Sequence, residues 1–380
     1  MNIPLKRTHD ADAPEIPPGL EGFYQKAHKR KIPLSVQIQL TDLCNLRCEY
    51  CYNSTEHKTN ELSYDEIVGI LEQLREAGTL YVCLTGGEPT LHPRFADIAR
   101  KVRELGFSLE MITNGTLLKE WHYQLFQELS PQYIAVSLHG MRKASHERLT
   151  HSAESFNKTR AAIERMKELG LPVQLRISVT QYNFHELEEM IFYAEALGIN
   201  YRYDCNVTYR EDGDPTSAVI RVGSDALENL FERQWRETLL KSDAPVIGFN
   251  DKSMRAIDEG NLCAAGHTYC YIDSQGTVHP CPSYQRPAGS LRELTFKEIW
   301  YESDFLKKLR ATTYGDIAGC SGCGDKPFCT FCPGNARLEG SDKENGFASY
   351  GRACKNAAIN RKAFEDVSEQ QRAAFTTFAN

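Results

Sequence analysis

Polar and apolar residues alternate from Ser35 to Leu40 (Ser-Val-Gln-Ile-Gln-Leu), the period of a strand. A helical period follows. Ser63 and Glu66 form a capping box before Ile67, Ile70, Leu71 and Leu74, and Gly78 marks the end of that helix. The same strand–helix couple then recurs. The apolar run 80–84 leads to a helix with Phe95, Ile98, Val102 and Leu105. Strand 108–112 leads to a helix near 117–129. Strand 133–138 leads to a helix over 155–169, and strand 173–179 to a helix over 185–197. A sixth strand is expected over 201–207. Strands alternating with helices predict an α/β fold with a parallel sheet, either an open doubly wound sheet or a barrel.

The residues that break the pattern all fall just after strands. They are the loop Cys44-Asn-Leu-Arg-Cys48-Glu-Tyr-Cys51, the turn Gly86-Gly87-Glu88-Pro89, Thr113-Asn114, and Ser137 to His139. The C-terminal ends of parallel strands are where active sites of such folds gather. After residue 210 the periodicity fades. A loop at 211–215 and a helix over 226–240 precede a cysteine-dense stretch from Cys263 onward, which metal ligation could organise where a core cannot. These shifts divide the chain into a lead-in (1–34), a core (35–210), a helical bridge (211–262) and a cysteine-rich region (263–380). The lead-in, with its prolines and the basic patch Lys26–Lys31, reads as irregular.

Composition narrows the class. A net charge of -7 over 380 residues argues against general nucleic-acid binding. No apolar run approaches the roughly 18 residues of a membrane span, and the first residues have no secretory apolar core. The chain is therefore expected in the cytoplasm. Thirteen cysteines in that compartment point to metal or redox chemistry rather than disulfides.

Cys44, Cys48 and Cys51 have the spacing C-x3-C-x2-C. Three thiolates can hold a zinc ion that borrows a fourth ligand. They can also hold a [4Fe–4S] cluster with one iron left open. This loop after the first strand, with Gly-Gly-Glu-Pro after the second, resembles the signature of radical S-adenosylmethionine (SAM) enzymes. The resemblance spans about residues 35–207. It implies a partial (β/α)6 TIM-like barrel, a SAM-binding cluster on Cys44, Cys48 and Cys51, and reductive cleavage of SAM to a 5′-deoxyadenosyl radical that abstracts hydrogen from substrate. It assigns SAM contacts to Tyr50, Gly86, Gly87, Glu88, Pro89, Thr113, Asn114, Ser137 and Arg176.

Seven later cysteines resemble the SPASM extension, which implies two auxiliary [4Fe–4S] clusters. Cys263, Cys281 and Cys332 would serve one; Cys320, Cys323, Cys329 and Cys354 the other. Cys329 and Cys332 stand one residue closer than is usual there. A zinc ribbon on Cys320, Cys323, Cys329 and Cys332 is the alternative. Of the remaining cysteines, Cys83 reads as a packed strand residue and Cys205 as packing or function. Cys270 either completes the first auxiliary cluster or leaves it an open iron. Asp204, Asp273, His267 and Cys270 are the candidates for proton or electron transfer in the second half of the reaction.

The resemblance implies a maturase that crosslinks a ribosomally made precursor peptide through a thioether or carbon–carbon bond, or modifies it in a related way. The partners are that peptide and an electron donor such as flavodoxin or ferredoxin. About 34 residues before the barrel are too few for a leader-binding domain, so leader binding is expected from a separate small leader-recognition protein or from the barrel itself. Three readings compete. A sulfatase-type formylglycine maturase would want an aspartate where Pro282 follows Cys281. The others are a small-molecule radical SAM dehydrogenase and a non-catalytic iron–sulfur carrier.

Overall fold

The computed structural model describes residues 21–54, 59–240 and 251–378; the prolines before residue 20 lie outside them. The chain divides into two units. Among the described residues, one comprises 21–54, 59–221 and 263–310, the other 222–240, 251–262 and 311–378. The contact boundaries thus fall after Arg221, Leu262 and Arg310, whereas the expected core ends at 210 and the expected cysteine-rich region runs unbroken from 263.

The first unit carries one sheet. Its parallel strands are β1 (Ser35–Gln39), β2 (Tyr81–Thr85), β3 (Ser108–Thr113), β4 (Tyr133–Ser137), β5 (Val173–Ser178) and β6 (Asn200–Asp204). The order is β6-β5-β4-β3-β2-β1, continued by β7 (Tyr269–Ile272), β8 (Thr277–His279) and β9 (Gly289–Ser290). Strand β7 lies parallel to β1, and β8 and β9 return antiparallel. Strands β6 and β9 are the outer edges, so the sheet does not close on itself. This last extension is absent from the sequence expectation, because strands of two to four residues are too short to show a period.

Register explains the alternation. Val36, Val82, Leu109 and Ile134 are buried on the face that meets the helices. On the other face, Gln37 pairs in register with Cys83 and Tyr271, and Cys83 with Glu110. These interior polar groups satisfy one another. Tyr269 donates to Gln37 Oε1 at 2.7 Å, and Tyr133 to Glu110 Oε2 at 2.9 Å.

Among the described residues of the expected irregular lead-in, Glu21–Arg30 form a helix; residues 1–20 lie outside the described residues. The expected helices appear as Tyr64–Glu76, Phe95–Glu104, Glu120–Leu129, Ser155–Glu168 and Leu187–Leu197. The Ser63 capping box is present. A further helix, Lys143–Thr150, has too little apolar period to read from sequence. Buried Glu186 caps its start by accepting from Met141 N at 2.6 Å and Arg142 N at 3.0 Å.

In the second unit, helix Ser224–Leu240 packs on helix Gly351–Phe378. Trp235 Nε1 donates to Asn360 Oδ1 at 2.8 Å, and Asn360 Nδ2 to the Phe328 carbonyl at 2.9 Å. Leu262, Tyr314, Ile317, Phe331, Ala336, Tyr350 and Ala353 form a small core against which Cys320 and Cys329 pack. Among the described residues no helix is long and apolar enough to cross a membrane.

Candidate active site

The cysteine loop leaves β1 and is fixed from below by helix Lys143–Thr150. The last carbonyls of a helix lack partners within it. Here Thr150 O accepts from Arg47 N at 3.2 Å and Leu149 O from Glu49 N at 2.9 Å. From the other side Arg210 Nη1 donates to the Cys51 and Asn53 carbonyls at 3.3 and 3.0 Å, and Glu211 N to Tyr52 O at 2.8 Å. Nothing in the sequence marks Arg210 for this clamp, 159 residues from Cys51.

Gly86 and Gly87 meet the same loop at its start. Gly87 N donates to Thr41 O at 2.7 Å and Glu88 N to Leu43 O at 2.8 Å. A Cβ on Gly87 would stand 2.4 Å from Leu43 O and 2.6 Å from Asp42 O. The glycines let two stretches of backbone touch.

A cavity of about 650 Å³ opens above the sheet. Cys44, Cys48, Cys51, Tyr50, Gly86, Gly87, Thr113, Asn114, Ser137, Arg176 and Asp204, all singled out by sequence, line it. Ser137, Arg176 and Arg202 stand in one register row across β4, β5 and β6. Asn114 Nδ2 donates to Asn45 Oδ1 at 3.0 Å, which ties the end of β3 to the cysteine loop.

Other expected residues are placed differently. Glu88 and Pro89 are buried behind the wall rather than on it. The Glu88 carboxylate accepts from Thr113 Oγ1 at 2.7 Å, Asn114 N at 2.8 Å and Thr90 Oγ1 at 2.7 Å, so it joins the ends of β2 and β3. Burial raises its pKa despite those bonds. Asp273 lies outside the cavity lining and shapes the β7–β8 turn, accepting from Thr277 N at 2.8 Å and Gln275 N at 3.0 Å. Cys270 is fully buried in register with Val36, on the helix side of the sheet, and burial pushes its thiol up. His267 stacks on His28 at 4.4 Å, and burial lowers its pKa to about 3. Of the candidates for the second half-reaction, Asp204 alone borders the cavity.

The donor set fits an iron–sulfur group. Burial pushes the Cys44 thiol up to about 11 and raises Cys48 and Cys51 as well, so their thiolate forms require a cation. The Cys44 sulfur also has donors, Leu46 N at 3.4 Å and Asn114 Nδ2 at 4.0 Å. Tyr50 is hydrogen-bonded to His139 Nε2. Burial, then the neighbouring His146, keeps the His139 imidazole neutral. His139 was not singled out as a site residue, and only its place at the end of β4 could have flagged it.

In the second unit, Cys320, Cys323, Cys329 and Cys354 lie within electrostatic reach of one another. Cys332 stands beside Tyr350.

A parallel sheet that gathers three thiols, a double-glycine turn and an arginine row around one cavity defines an α/β enzyme built around a metal cofactor. Residues 38–194 match the radical SAM superfamily, and residues 263–324 match SPASM, an iron–sulfur cluster-binding domain. The chain is a radical SAM enzyme with a SPASM extension. That family implies a [4Fe–4S] cluster with SAM, and the extension implies auxiliary iron–sulfur clusters.

Its relatives are diverse. It is 25% identical to an AdoMet-dependent heme synthase of Methanosarcina barkeri, over 80% of this chain and 92% of that one. It is 26% identical to a PqqA peptide cyclase of Rhodopseudomonas palustris, over 78% of this chain and 80% of that one. The fold matches that of Streptococcus suis SuiB bound to its precursor peptide SuiA, with a TM-score of 0.66 at 17% identity, covering 87% of this chain and 78% of SuiB.

Proposed function

We propose that this enzyme modifies a ribosomally made precursor peptide, installing a thioether or carbon–carbon crosslink or a related change. The observation that carries this reading is a cavity lined both by the cysteine loop and by the β6 residues Arg202 and Asp204. Cys44, Cys48 and Cys51 would hold the SAM-binding cluster. When bound, cluster and SAM supply a hydrogen-abstracting 5′-deoxyadenosyl radical. Gly86 and Gly87 would present backbone to SAM, Thr113, Asn114 and Ser137 would line its path, and Arg176 would meet its carboxylate. Asp204, which borders the cavity, would take a proton from the substrate.

Cys320, Cys323, Cys329 and Cys354 would hold one auxiliary cluster; Cys263, Cys281 and Cys332 would hold the other, for three clusters in all. Pro282 lines the cavity, so the position where a formylglycine maturase would want its aspartate offers no carboxylate. Relatives include peptide-acting enzymes, among them the PqqA peptide cyclase and the SuiB–SuiA complex.

The heme synthase relatives support a second reading. Arg176 and Arg202, side by side in register, would also suit a carboxylate-bearing small molecule. The two separate in one assay. Anaerobically reconstituted enzyme, SAM and reductant are incubated with a short peptide encoded beside its gene. A mass loss in the peptide together with 5′-deoxyadenosine supports the maturase. An unmodified peptide, with 5′-deoxyadenosine formed only when a porphyrin carboxylate is added, overturns it.

A further inference from the structure

The charge of the cavity lining differs from that of the chain. Among the described residues the cavity is lined by four arginines (Arg47, Arg176, Arg202 and Arg210) and two aspartates (Asp42 and Asp204), although the whole chain has a net charge of -7. Arg210 clamps the Cys51 and Asn53 carbonyls and stands 3.5 Å from Asp214. Arg47 belongs to the cysteine loop. Arg176 and Arg202 stand on the sheet. Register carries one face of it from Ile112 to Ala135, from Ala135 to Gln174 and from Gln174 to Asn200. Side chains alternate along a strand, so Arg176 and Ser178 share that face with Arg202 and Asp204. Arg202 is half-buried and lines the cavity. Two residues on, the Asp204 carboxylate accepts from Asn206 N at 2.8 Å through Oδ1. A guanidinium and a carboxylate thus leave the same face of β6 from positions about 6.6 Å apart.

We propose that Arg202 determines substrate specificity by holding a carboxylate of the peptide, the side chain of an aspartate or glutamate that lies within about two residues of the one modified. The proposal rests on the maturase reading and on Asp204 as the group that takes the substrate proton. A guanidinium is a planar fork that binds a carboxylate through two parallel hydrogen bonds, so it distinguishes an acid from the amide of the same shape. A strand holds such a group more rigidly than a loop does. An extended peptide advances about 3.3 Å per residue, so a side chain held at Arg202 brings the residue two positions on beside Asp204. The contact therefore sets which residue is presented as well as how tightly the peptide binds. The simpler account is that Arg202 only balances the charge of Asp204. Under that account the charge of the substrate is irrelevant, and changes made in the peptide separate the two.

The test uses the reconstituted full chain and the short peptide encoded beside its gene. Tandem mass spectrometry of the product locates the modified residue, and an aspartate or glutamate should lie within about two residues of it. Replacing that acid by its amide in the peptide should lower kcat/KM about tenfold, which is about 1.4 kcal/mol. It should weaken binding of the fluorescein-labelled peptide to enzyme without SAM by the same factor, read by anisotropy. Arg202→Gln should do the same to the acidic peptide. Combining the two changes should still cost about tenfold, not a hundredfold, because one interaction is removed twice. Arg202→Glu should recover about tenfold when the peptide carries lysine in place of the acid. A modified peptide with no acid in that window overturns the role of Arg202 and leaves the maturase reading standing. So does an amide peptide bound and turned over like the acidic one, or losses that multiply. If the Arg202 variants do not fold, the replacement in the peptide decides with wild-type enzyme alone. A peptide that is never modified overturns the maturase reading and this proposal with it.

Discussion

Replacing Gly87 with alanine should unseat the cysteine loop. The new Cβ would lie 2.4 Å from Leu43 O, 2.6 Å from Asp42 O and 2.6 Å from Leu43 C. An ordinary contact needs roughly 1 Å more. All three neighbours are backbone, so no rotamer change relieves the overlap. Separating the two stretches weakens the bonds Gly87 N to Thr41 O and Glu88 N to Leu43 O, 2.7 and 2.8 Å long. Each is worth about 1 kcal/mol, and overpacking strain adds about 1–3 kcal/mol. The expected loss is about 3–5 kcal/mol, among the largest for a single substitution. The assay is urea unfolding followed by circular dichroism, with iron and sulfide counted on the same samples. Gly69→Ala is the control. It lies inside helix Tyr64–Glu76 with nothing within 4 Å of the added Cβ, and it should stabilise by about 0.5–1 kcal/mol. Wild-type midpoint and iron content in Gly87→Ala would refute the close-approach reasoning.

Other substitutions probe the remaining parts. Glu88→Gln sets its NH2 group either against Asn114 N or against the Thr113 and Thr90 hydroxyls, which bond the other carboxylate oxygen, so it should cost about 1–3 kcal/mol in urea unfolding. Glu66 is held down to about 2 by Arg292, with help from Ser63. Its contribution is therefore complete above the unfolded value of 4.5 and is lost as pH falls toward 2. The pair is partly exposed, so the effect should stay below about 1 kcal/mol and shrink in high salt. Comparing wild type with Glu66→Gln from about pH 6 to pH 3 should show the two stability curves converging; a constant gap would disprove the linkage. Cys354→Ala should remove about four irons per chain while SAM cleavage activity at the loop persists. Cys44→Ala, Cys48→Ala or Cys51→Ala should abolish 5′-deoxyadenosine formation, read by chromatography.

The alternation of Ser35–Leu40 and the repeated helix stripes were legible because their period follows from local backbone geometry, which each segment carries by itself. The cysteine spacing was legible for a similar reason: eight residues of one loop hold all three sulfurs. The helix Lys143–Thr150 was not legible. Its stability comes from Glu186, some 44 residues from Arg142, and not from a periodic apolar face. Strand β7 was hidden because four residues pair with a β1 that lies more than two hundred positions earlier.

The chain by itself therefore determined the strand–helix order, the cysteine loop and the candidate chemistry, since these depend on neighbouring residues. The tertiary structure alone decided where each special residue sits. It turned Glu88 and Pro89 away from the cavity, put Cys270 and Asp273 into packing and turn duties, and brought Arg210 and His139 to the cysteine loop. The physical reason is that these assignments depend on register and on hydrogen bonds between distant segments. Spacing along the chain carries no record of either.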